Sequence, residues 1–446
     1  MASHSKSGGL PSFRHGVHPP EHKELTSGIA SRRLPFTDEV VLPLSQHLGR
    51  PAEALVKPGD KVERGDVIAK AAGFVSSRVH ATAAGVVKSI EHWPHPSGSM
   101  QPSIRIQVDP HSTQLQRPRL VPRWDEVPET QLSEEISKAG IVGLGGAAFP
   151  THVKLRPPED QPVDVLMVNG CECEPYLTSD HRVMLEQPER VHMGIRIVLR
   201  ALGIERAVIG IENNKPDAIE IMRDTAPTDL DVSVQPLQVK YPQGAEKMLI
   251  KAVTGREVPS GKLPSSIGAL VQNVATTANI AKIFETGEPL IERIMTISGR
   301  GIRRPGNWVI PFGTKLRDVI AACGGFTEDA AEIVFGGPMM GQSQGNLDVP
   351  VLKATGGILV LSRDECKRQD ILPCIRCGKC VDACPVFLNP QLLGALARVD
   401  RFEEMVDANL YDCMLCGCCS FVCPSNIPLS QLFAMSKIQL SRLKAA

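Results

Sequence analysis

The sequence predicts a multidomain α/β protein that ends in a cysteine-rich module. Its 446 residues correspond to about three domains at roughly 150 residues each. Between residues 125 and 285, short apolar strands alternate with amphipathic helices, as in a parallel sheet covered by helices. Ten of the 13 cysteines lie between Cys366 and Cys423, so we expect this module to carry a chemistry of its own.

The charge balance excludes one large class of partners. Lys plus Arg and Asp plus Glu both number 49, so no net field attracts a polyanion, and we expect no nucleic-acid partner. The first residues lack the apolar segment of a secretory signal, which favours the reducing cytoplasm. The cysteines are therefore expected to be thiols or metal ligands.

The cysteines form two runs with the same spacing, C-x2-C-x2-C-x3-C-P. In two-cluster ferredoxins, the fourth cysteine of each such run binds the cluster of the other run. This pattern predicts one [4Fe–4S] cluster bound by Cys374, Cys377, Cys380 and Cys423, and another bound by Cys413, Cys416, Cys419 and Cys384. Zinc is the alternative, but a structural zinc site needs only two C-x2-C pairs and leaves the other cysteines unexplained.

Apolar residues between the two runs predict helix, and thus a helical two-cluster ferredoxin module over residues 364–430. The residues that carry this pattern are Leu392, Leu393, Leu396, Met405 and Leu410. A C-terminal helix over 431–446 follows. Cys366 and Cys418 are out of register, and we interpret them as buried thiols.

A glycine-rich loop in the middle of the chain is a candidate flavin site. A [4Fe–4S] cluster carries one electron, whereas a nicotinamide carries two, so a flavin is needed between them. The loop at 143–150 precedes Lys154 and an apolar strand at 163–168, which ends in a polar turn at 169–175. Open α/β sheets bind ligands at such strand ends. The glycines alone are also compatible with an ordinary turn.

Four segments carry a resemblance to known families. GLGGAAFPTHVK and VNGCECEP resemble segments of the flavin- and NADH-binding subunit of respiratory complex I, and YPQGAEKML and VQNVATTANI resemble its later flavin-site motifs. With FRHGVHPPEHK, PLSQHLG and the two cysteine runs, the order of parts resembles the C-subunit family of Rnf ion-translocating electron-transport complexes over nearly the whole chain.

The resemblance implies a set of cofactor-binding residues. FMN would lie against Gly143, Gly145, Gly146, Lys154, Asn169, Glu172, Gly244, Asn273 and Thr276. NADH would stack over it near Phe149 and Glu174. The turn departs from the complex I pattern at Cys171 and Cys173, which replace an acidic residue and a serine and are interpreted as small residues that line the pocket.

The resemblance also implies the domain order. Residues 37–110 would form a barrel-sandwich hybrid similar to lipoyl carriers. Before it, residues 1–36 contain histidines among prolines and glycines, which favours an extended segment that wraps over a partner over the alternative of a metal site. Residues 125–285 would form a Rossmann-like flavin and NADH domain, and 288–345 a β-grasp domain similar to the SLBB domain.

By the same resemblance, the chain is a peripheral membrane protein on the cytoplasmic face of the bacterial inner membrane. It would be an NADH-linked oxidoreductase subunit of a translocase that couples electron transfer between ferredoxin and NAD(H) to ion translocation, with membrane subunits, peripheral subunits and a ferredoxin-linked subunit as partners. No side-chain set for acid, base or nucleophilic catalysis is evident, so the cofactors carry the chemistry. The alternative is a flavin-free scaffold or electron relay between ferredoxin and membrane partners.

Overall fold

The computed structural model describes residues 9–115, 121–366 and 369–445. After a short strand β1 (Arg32–Arg33), the first domain consists of two small antiparallel sheets, with the orders β2-β8-β7-β4 and β3-β5-β6. Its strands are β2 (Glu39–Pro43), β3 (Glu53–Ala54), β4 (Lys61–Val62), β5 (Val67–Lys70), β6 (Val79–His80), β7 (Gly85–Pro94) and β8 (Met100–Val108). Two packed sheets of this kind confirm the predicted barrel-sandwich fold.

The second domain is built on a parallel sheet with the order β11-β10-β9-β12, as the alternation of strands and helices predicts. Its elements are α1 (Glu129–Lys138), α2 (Thr151–Lys154), β9 (Val165–Asn169), α3 (Ser179–Glu186), α4 (Pro188–Leu202), β10 (Arg206–Glu212), α5 (Pro216–Asp224), β11 (Asp231–Leu237), α6 (Glu246–Thr254), β12 (Ala269–Asn273) and α7 (Val274–Thr286). Helix α4 ends at Gly203, whose left-handed backbone (φ 65°) terminates helices readily.

A six-stranded sheet with the order β1-β14-β13-β17-β15-β16 forms the third domain. Its further elements are β13 (Glu292–Ser298), β14 (Gly306–Pro311), α8 (Leu316–Ala322), β15 (Ala330–Phe335), β16 (Gln342–Ser343) and β17 (Gly357–Ser362). The sheet reaches beyond the predicted 288–345, because β17 pairs with both β13 and β15 and β1 is added at the β14 edge.

The cysteine-rich module is helical and has its own apolar core. Its elements are α9 (Lys379–Asp382), α10 (Pro390–Ala397), α11 (Phe402–Asp407), α12 (Cys418–Phe421) and α13 (Leu429–Ala445). The segment between the runs contains two helices, α10 and α11, and the side chains of Leu393, Met405, Leu410 and Phe433 are buried together. Asn389 caps α10 by accepting a hydrogen bond from Leu392 N.

The N-terminal segment lies across the chain's own domains. Gly16 N donates to Ala383 O, and Val17 pairs with Tyr241. These residues therefore pack against the chain itself, with their backbone groups paired within it, and contact of the segment with a partner remains a prediction. Among the described helices, none has both the length and the apolar character needed to cross a membrane.

Candidate functional site

Two asparagines mark the carboxyl edge of the parallel sheet. Asn169 ends β9, Asn273 ends β12, and the two are aligned in register. The Asn273 side chain caps α7 by accepting from Ala275 N at 2.9 Å and from Thr276 N at 3.2 Å. Asn169 Nδ2 donates to Gly244 O at 2.7 Å. The strand ends thus bring together residues that are distant in sequence, as the sheet topology predicts.

The glycine-rich loop is held against this edge. Leu144 N donates to Thr276 Oγ1 at 2.8 Å, and Gly143 N donates to Phe149 O at 2.8 Å, which closes the loop. A Cβ atom on Gly145 would lie 3.4 Å from Asn273 Cβ, whereas one on Gly146 would meet no atom within 4 Å. The loop therefore leaves an exposed cradle beside the start of α7.

Lys154 provides a cation next to the cradle. Its Nζ donates to Glu246 Oε1 at 2.9 Å and to Val271 O at 3.1 Å, and its side chain is 29% exposed. The sequence analysis did not single out Glu246, since only the fold brings α6 to the end of α2. The lysine is thus fixed at the sheet edge and still reachable from solvent.

The carboxylates of the polar turn already have partners within the chain. Glu172 accepts hydrogen bonds from Ser179 Oγ, Asp180 N and His181 N, and so caps α3. Glu174 accepts from Met339 N at 3.1 Å and Met340 N at 2.9 Å, and burial raises the pKa of its carboxyl to about 7. These contacts give both residues structural roles, and their predicted cofactor contacts remain predictions.

The two thiols of the turn are neutral. Burial raises the pKa of both Cys171 and Cys173 well above the usual value of a thiol. Gly244 N donates to Cys173 Sγ at 3.3 Å, so this thiol contacts the same glycine that Asn169 holds. Both cysteines thus act as small lining residues rather than as reactive thiolates, in line with their interpretation from the sequence.

Asp180 is a buried polar residue that sequence reasoning missed. Its Oδ2 accepts from Asn273 Nδ2 at 2.7 Å, and its Oδ1 has no hydrogen-bond partner among the described residues. Burial raises the pKa of this carboxyl to about 7. Nothing in the local pattern distinguishes Asp180 from an ordinary first-turn acid of a helix.

The site fits a planar polar ligand with a phosphate group. The open space at Gly146 admits close approach of a ring, and the backbone N–H groups of the loop and Lys154 suit an anion. The orphaned Oδ1 of Asp180 is the kind of buried atom that a ligand or water satisfies. These features fit FMN.

The second cysteine run surrounds a small cavity together with one cysteine of the first run. Cys384, Cys413, Cys416 and Cys419 all line it. The sulfur atoms accept hydrogen bonds. Leu388 N donates to Cys384 Sγ at 3.3 Å. Hydrogen bonds from the Cys418 side chain and, to a smaller extent, from the Cys418 backbone lower the pKa of Cys416. Four thiols with amide donors fit a [4Fe–4S] cluster. Within the described ranges, no three His, Cys, Asp or Glu residues converge closely enough for a single metal ion.

The first run is more open. Cys374 and Cys377 are exposed, whereas Cys380 is half-buried. Burial raises the pKa of Cys380, and both Cys380 and Cys423 pack against the apolar core of the module. The fold thus brings together the crossed groups that the spacing predicts, and the ligand sets themselves remain predictions.

The second run packs directly against the flavin-site domain. Tyr241 is buried, and its Oη donates to Cys416 O at 2.8 Å. A Cβ on Gly417 would lie only 2.7 Å from Met339 O, so the second run is also in close backbone contact with the third domain. Tyr241, Cys173, Cys416 and Cys418 belong to one apolar cluster. This cluster joins the candidate flavin site to the candidate cluster site.

Four family models match successive parts of the chain. They are the RnfC barrel sandwich hybrid domain over residues 11–111, the Nuo51 FMN-binding domain over 136–282, the SLBB domain over 294–343 and the 4Fe-4S dicluster domain over 370–427. Among solved structures, the NAD+-reducing [NiFe]-hydrogenase in its H2-reduced state is 19% identical, with a TM-score of 0.49, over 71% of this chain and 62% of that chain.

Several proteins are similar over nearly the full length, and each is the C subunit of an ion-translocating complex. That of the proton-translocating ferredoxin:NAD(+) oxidoreductase of Clostridium ljungdahlii is 45% identical, over 90% of this chain and 88% of the relative. Its Na(+)-translocating counterpart in Acetobacterium woodii is 41% identical over 90% of each. That of the ion-translocating oxidoreductase of Rhodobacter capsulatus is 43% identical, over 96% of this chain and 83% of the relative. The chain therefore belongs to the RnfC family, the C subunits of ion-translocating oxidoreductase complexes.

Proposed function

We propose that this chain is the subunit of an Rnf-type complex that exchanges electrons between NAD(H), FMN and two [4Fe–4S] clusters. One observation carries this proposal: Tyr241 bonds to Cys416 and packs with Cys173, and Cys173 contacts the Gly244 that Asn169 holds, so the cradle and the second cysteine run are joined within a single chain. The names of the relatives support ferredoxin and NAD+ as the redox partners and ion translocation as the coupled process.

FMN supplies the conversion between electron pairs and single electrons when it is bound, and the clusters carry the single electrons. Gly143, Gly145 and Gly146 would admit the ring, and Lys154 would neutralise the phosphate. Asn169, Gly244, Asn273 and Thr276 would hold the polar edges. Glu172 would support the site indirectly, because its hydrogen bonds to α3 hold the polar turn in position.

The nicotinamide would enter over the exposed side of the loop, where Phe149 and Glu174 are our proposed contacts. Phe149 is half-buried, so part of its ring remains available for stacking. Glu174 lies on the turn that Gly244 and Cys173 contact, and its attachment to the 339–340 backbone keeps that turn in place. The chain's contribution to the reaction is thus positioning and exclusion of water.

The complex would sit on the cytoplasmic face of the bacterial inner membrane, with this chain as a peripheral subunit beside membrane subunits and a ferredoxin-linked subunit. In this position, electrons could leave the chain at the surface where Cys374 and Cys377 are exposed and pass to a neighbouring subunit. The similarity to the C subunits of ion-translocating complexes supports it.

The test is a spectrum of the full chain purified anaerobically, together with its flavin and iron content. We expect one FMN and iron for two [4Fe–4S] clusters, and NADH should bleach the flavin absorbance. Cluster absorbance without flavin would contradict the proposal and support a flavin-free electron relay instead. Zinc in place of iron would contradict both.

A further inference from the structure

One segment touches both redox sites at once. Residues 11–23, here named the strap, run from the β11 end of the parallel sheet, past Tyr241 and the first cysteine run, to the polar turn. The cofactor-binding residues proposed above include none of its members. Three sets of contacts define where it lies.

The first contacts attach the strap to the segment before Gly244. Val17 N donates to Tyr241 O at 2.9 Å, and Tyr241 N donates back to Val17 O at 2.9 Å. Ser12 Oγ donates to Gln243 Oε1 at 3.2 Å. A reciprocal backbone pair fixes one strand relative to another, so the strap sets the position of Tyr241.

The second contacts attach the strap to the loop that carries Cys384. Gly16 N donates to Ala383 O at 3.1 Å, and His15 Nδ1 lies 2.5 Å from Asp382 O. The His15 ring also packs edge-on against Phe387, with 4.7 Å between centroids. Residues 15–17 therefore lie between Tyr241 and a predicted cluster ligand.

The third contact is made by Lys23. Its Nζ donates to Glu172 O and Glu174 O, both at 2.9 Å, and to Leu177 O at 2.5 Å. The Lys23 ammonium group thus binds three backbone carbonyls, two in the polar turn and one just after it. The far end of the strap fixes this turn, just as its middle fixes Tyr241.

We propose that the strap is the positioning element that sets the separation between the flavin edge and the cluster held by Cys384, Cys413, Cys416 and Cys419. Gly16 is its critical residue. Its φ is +79°, and a Cβ there would lie 2.6 Å from Tyr241 O and 2.9 Å from the Phe13 ring. A side chain at this position must push the Tyr241 backbone away from the strap, while Gly16 N is bonded to Ala383 O on its other side.

The inference rests on the proposed function and concerns one event in it. In the proposed function, each NADH would transfer a hydride to FMN and become NAD+. The two electrons would then pass singly to the two oxidised clusters, and the accompanying proton would be released to water. The strap would affect only the passage between the two sites, because the proposed nicotinamide contacts do not include residues 15–17.

The test compares two glycine variants of the strap region in the anaerobically purified full chain. In Gly16→Ala, NADH should bleach the flavin at the wild-type rate, but subsequent cluster reduction, followed by freeze-quench EPR, should be about tenfold or more slower. Gly28→Ala is the matched control, because a Cβ on Gly28 meets no atom within 4 Å and its φ is ordinary. It should match the wild type in both rates.

A second variant protects the test against misfolding. Tyr241→Phe removes only the hydroxyl that donates to Cys416 O, and it should also slow cluster reduction while flavin and iron contents stay at the wild-type level. If Gly16→Ala loses its cofactors, the rate of cluster reduction in Tyr241→Phe replaces it as the test of the inference. A wild-type rate of cluster reduction in the variant that is used would overturn the inference. If NADH does not bleach the flavin of the wild-type protein, the proposed function is overturned instead.

Discussion

The two cysteine runs have the same spacing but different surroundings. Cys374 and Cys377 of the first run are exposed, and the side chains of Ile371 and Ile375 beside them are 57% and 68% exposed. In the second run, Cys416 and Cys419 are only 8% exposed, and Tyr241 contacts the Cys416 carbonyl. A ligand pattern therefore defines two similar clusters, whereas packing against the neighbouring domain distinguishes them.

This difference assigns an order to electron transfer. With the predicted ligands Cys384, Cys413, Cys416 and Cys419, the second-run cluster would lie next to the proposed flavin edge, and the first-run cluster would face outward. We expect electrons from NADH to reach the second-run cluster first and to leave through the first-run cluster. Variants in each part of the molecule test this order.

The largest effect is expected for Cys416→Ser. Loss of this ligand should remove the second-run cluster and interrupt the route, so NADH would still bleach the flavin but would reduce no cluster. Iron analysis and EPR after addition of NADH measure both effects. Cys366→Ser is the matched control, because Cys366 lies outside both runs and bonds to Ser362 O. Cluster reduction in Cys416→Ser would contradict the order.

Cys377→Ser should remove the same amount of iron but leave the route from the flavin intact. The remaining cluster should be reduced by NADH at the wild-type rate, while transfer onward to a partner subunit should stop. Freeze-quench EPR of this variant checks the first expectation. If both clusters or the flavin were lost from a folded protein, the separation into two sites would be wrong.

Lys154→Ala should affect neither cluster, because its partners Glu246 and Val271 belong to the flavin-site domain. Loss of a charge-assisted hydrogen bond of about 1.5–3 kcal/mol should weaken FMN binding roughly tenfold to a hundredfold. Flavin release during dialysis measures it, with iron content as the second readout. Lys138→Ala, on the surface of α1, should retain FMN.

Leu393→Ala tests whether the two clusters share one scaffold. Leu393 is fully buried in the core that also contains Cys384 and Cys419, so truncation should destabilise the whole cysteine-rich module by about 2–5 kcal/mol. Iron loss on mild denaturation should accelerate for both clusters together. Leu392→Ala, at a neighbouring position that is 42% exposed, should behave as the wild type. Release from one run alone would show that the runs are stabilised separately.

Local patterns predicted the parts of the molecule that depend on nearby residues. The cysteine spacing and the apolar strand predicted at 163–168, observed at Val165–Asn169, are readable within a few residues. The contact of Tyr241 with Cys416, by contrast, joins residues 175 positions apart, and that of Lys23 with Glu174 joins residues 151 apart. Such contacts arise only from the packing of domains, which a single sequence does not display.

The glutamates show a second kind of limit. Motif resemblance predicts cofactor contacts for Glu172 and Glu174, and the structure adds partners that the motif does not reveal, namely backbone amides of α3 and of residues 339–340. A motif identifies residues that matter without distinguishing ligand contact from support of the turn. Asp180, which bonds to Asn273, was missed because its local sequence is that of an ordinary first-turn acid of a helix.

The most direct test of the account is the order in which the two clusters become reduced after the wild-type chain is mixed with NADH. Freeze-quench EPR can follow this, with the two signals assigned by their absence in Cys416→Ser and Cys377→Ser. We expect the signal missing in Cys416→Ser to rise first, after the flavin bleaches. Earlier reduction of the Cys377-dependent cluster would contradict it.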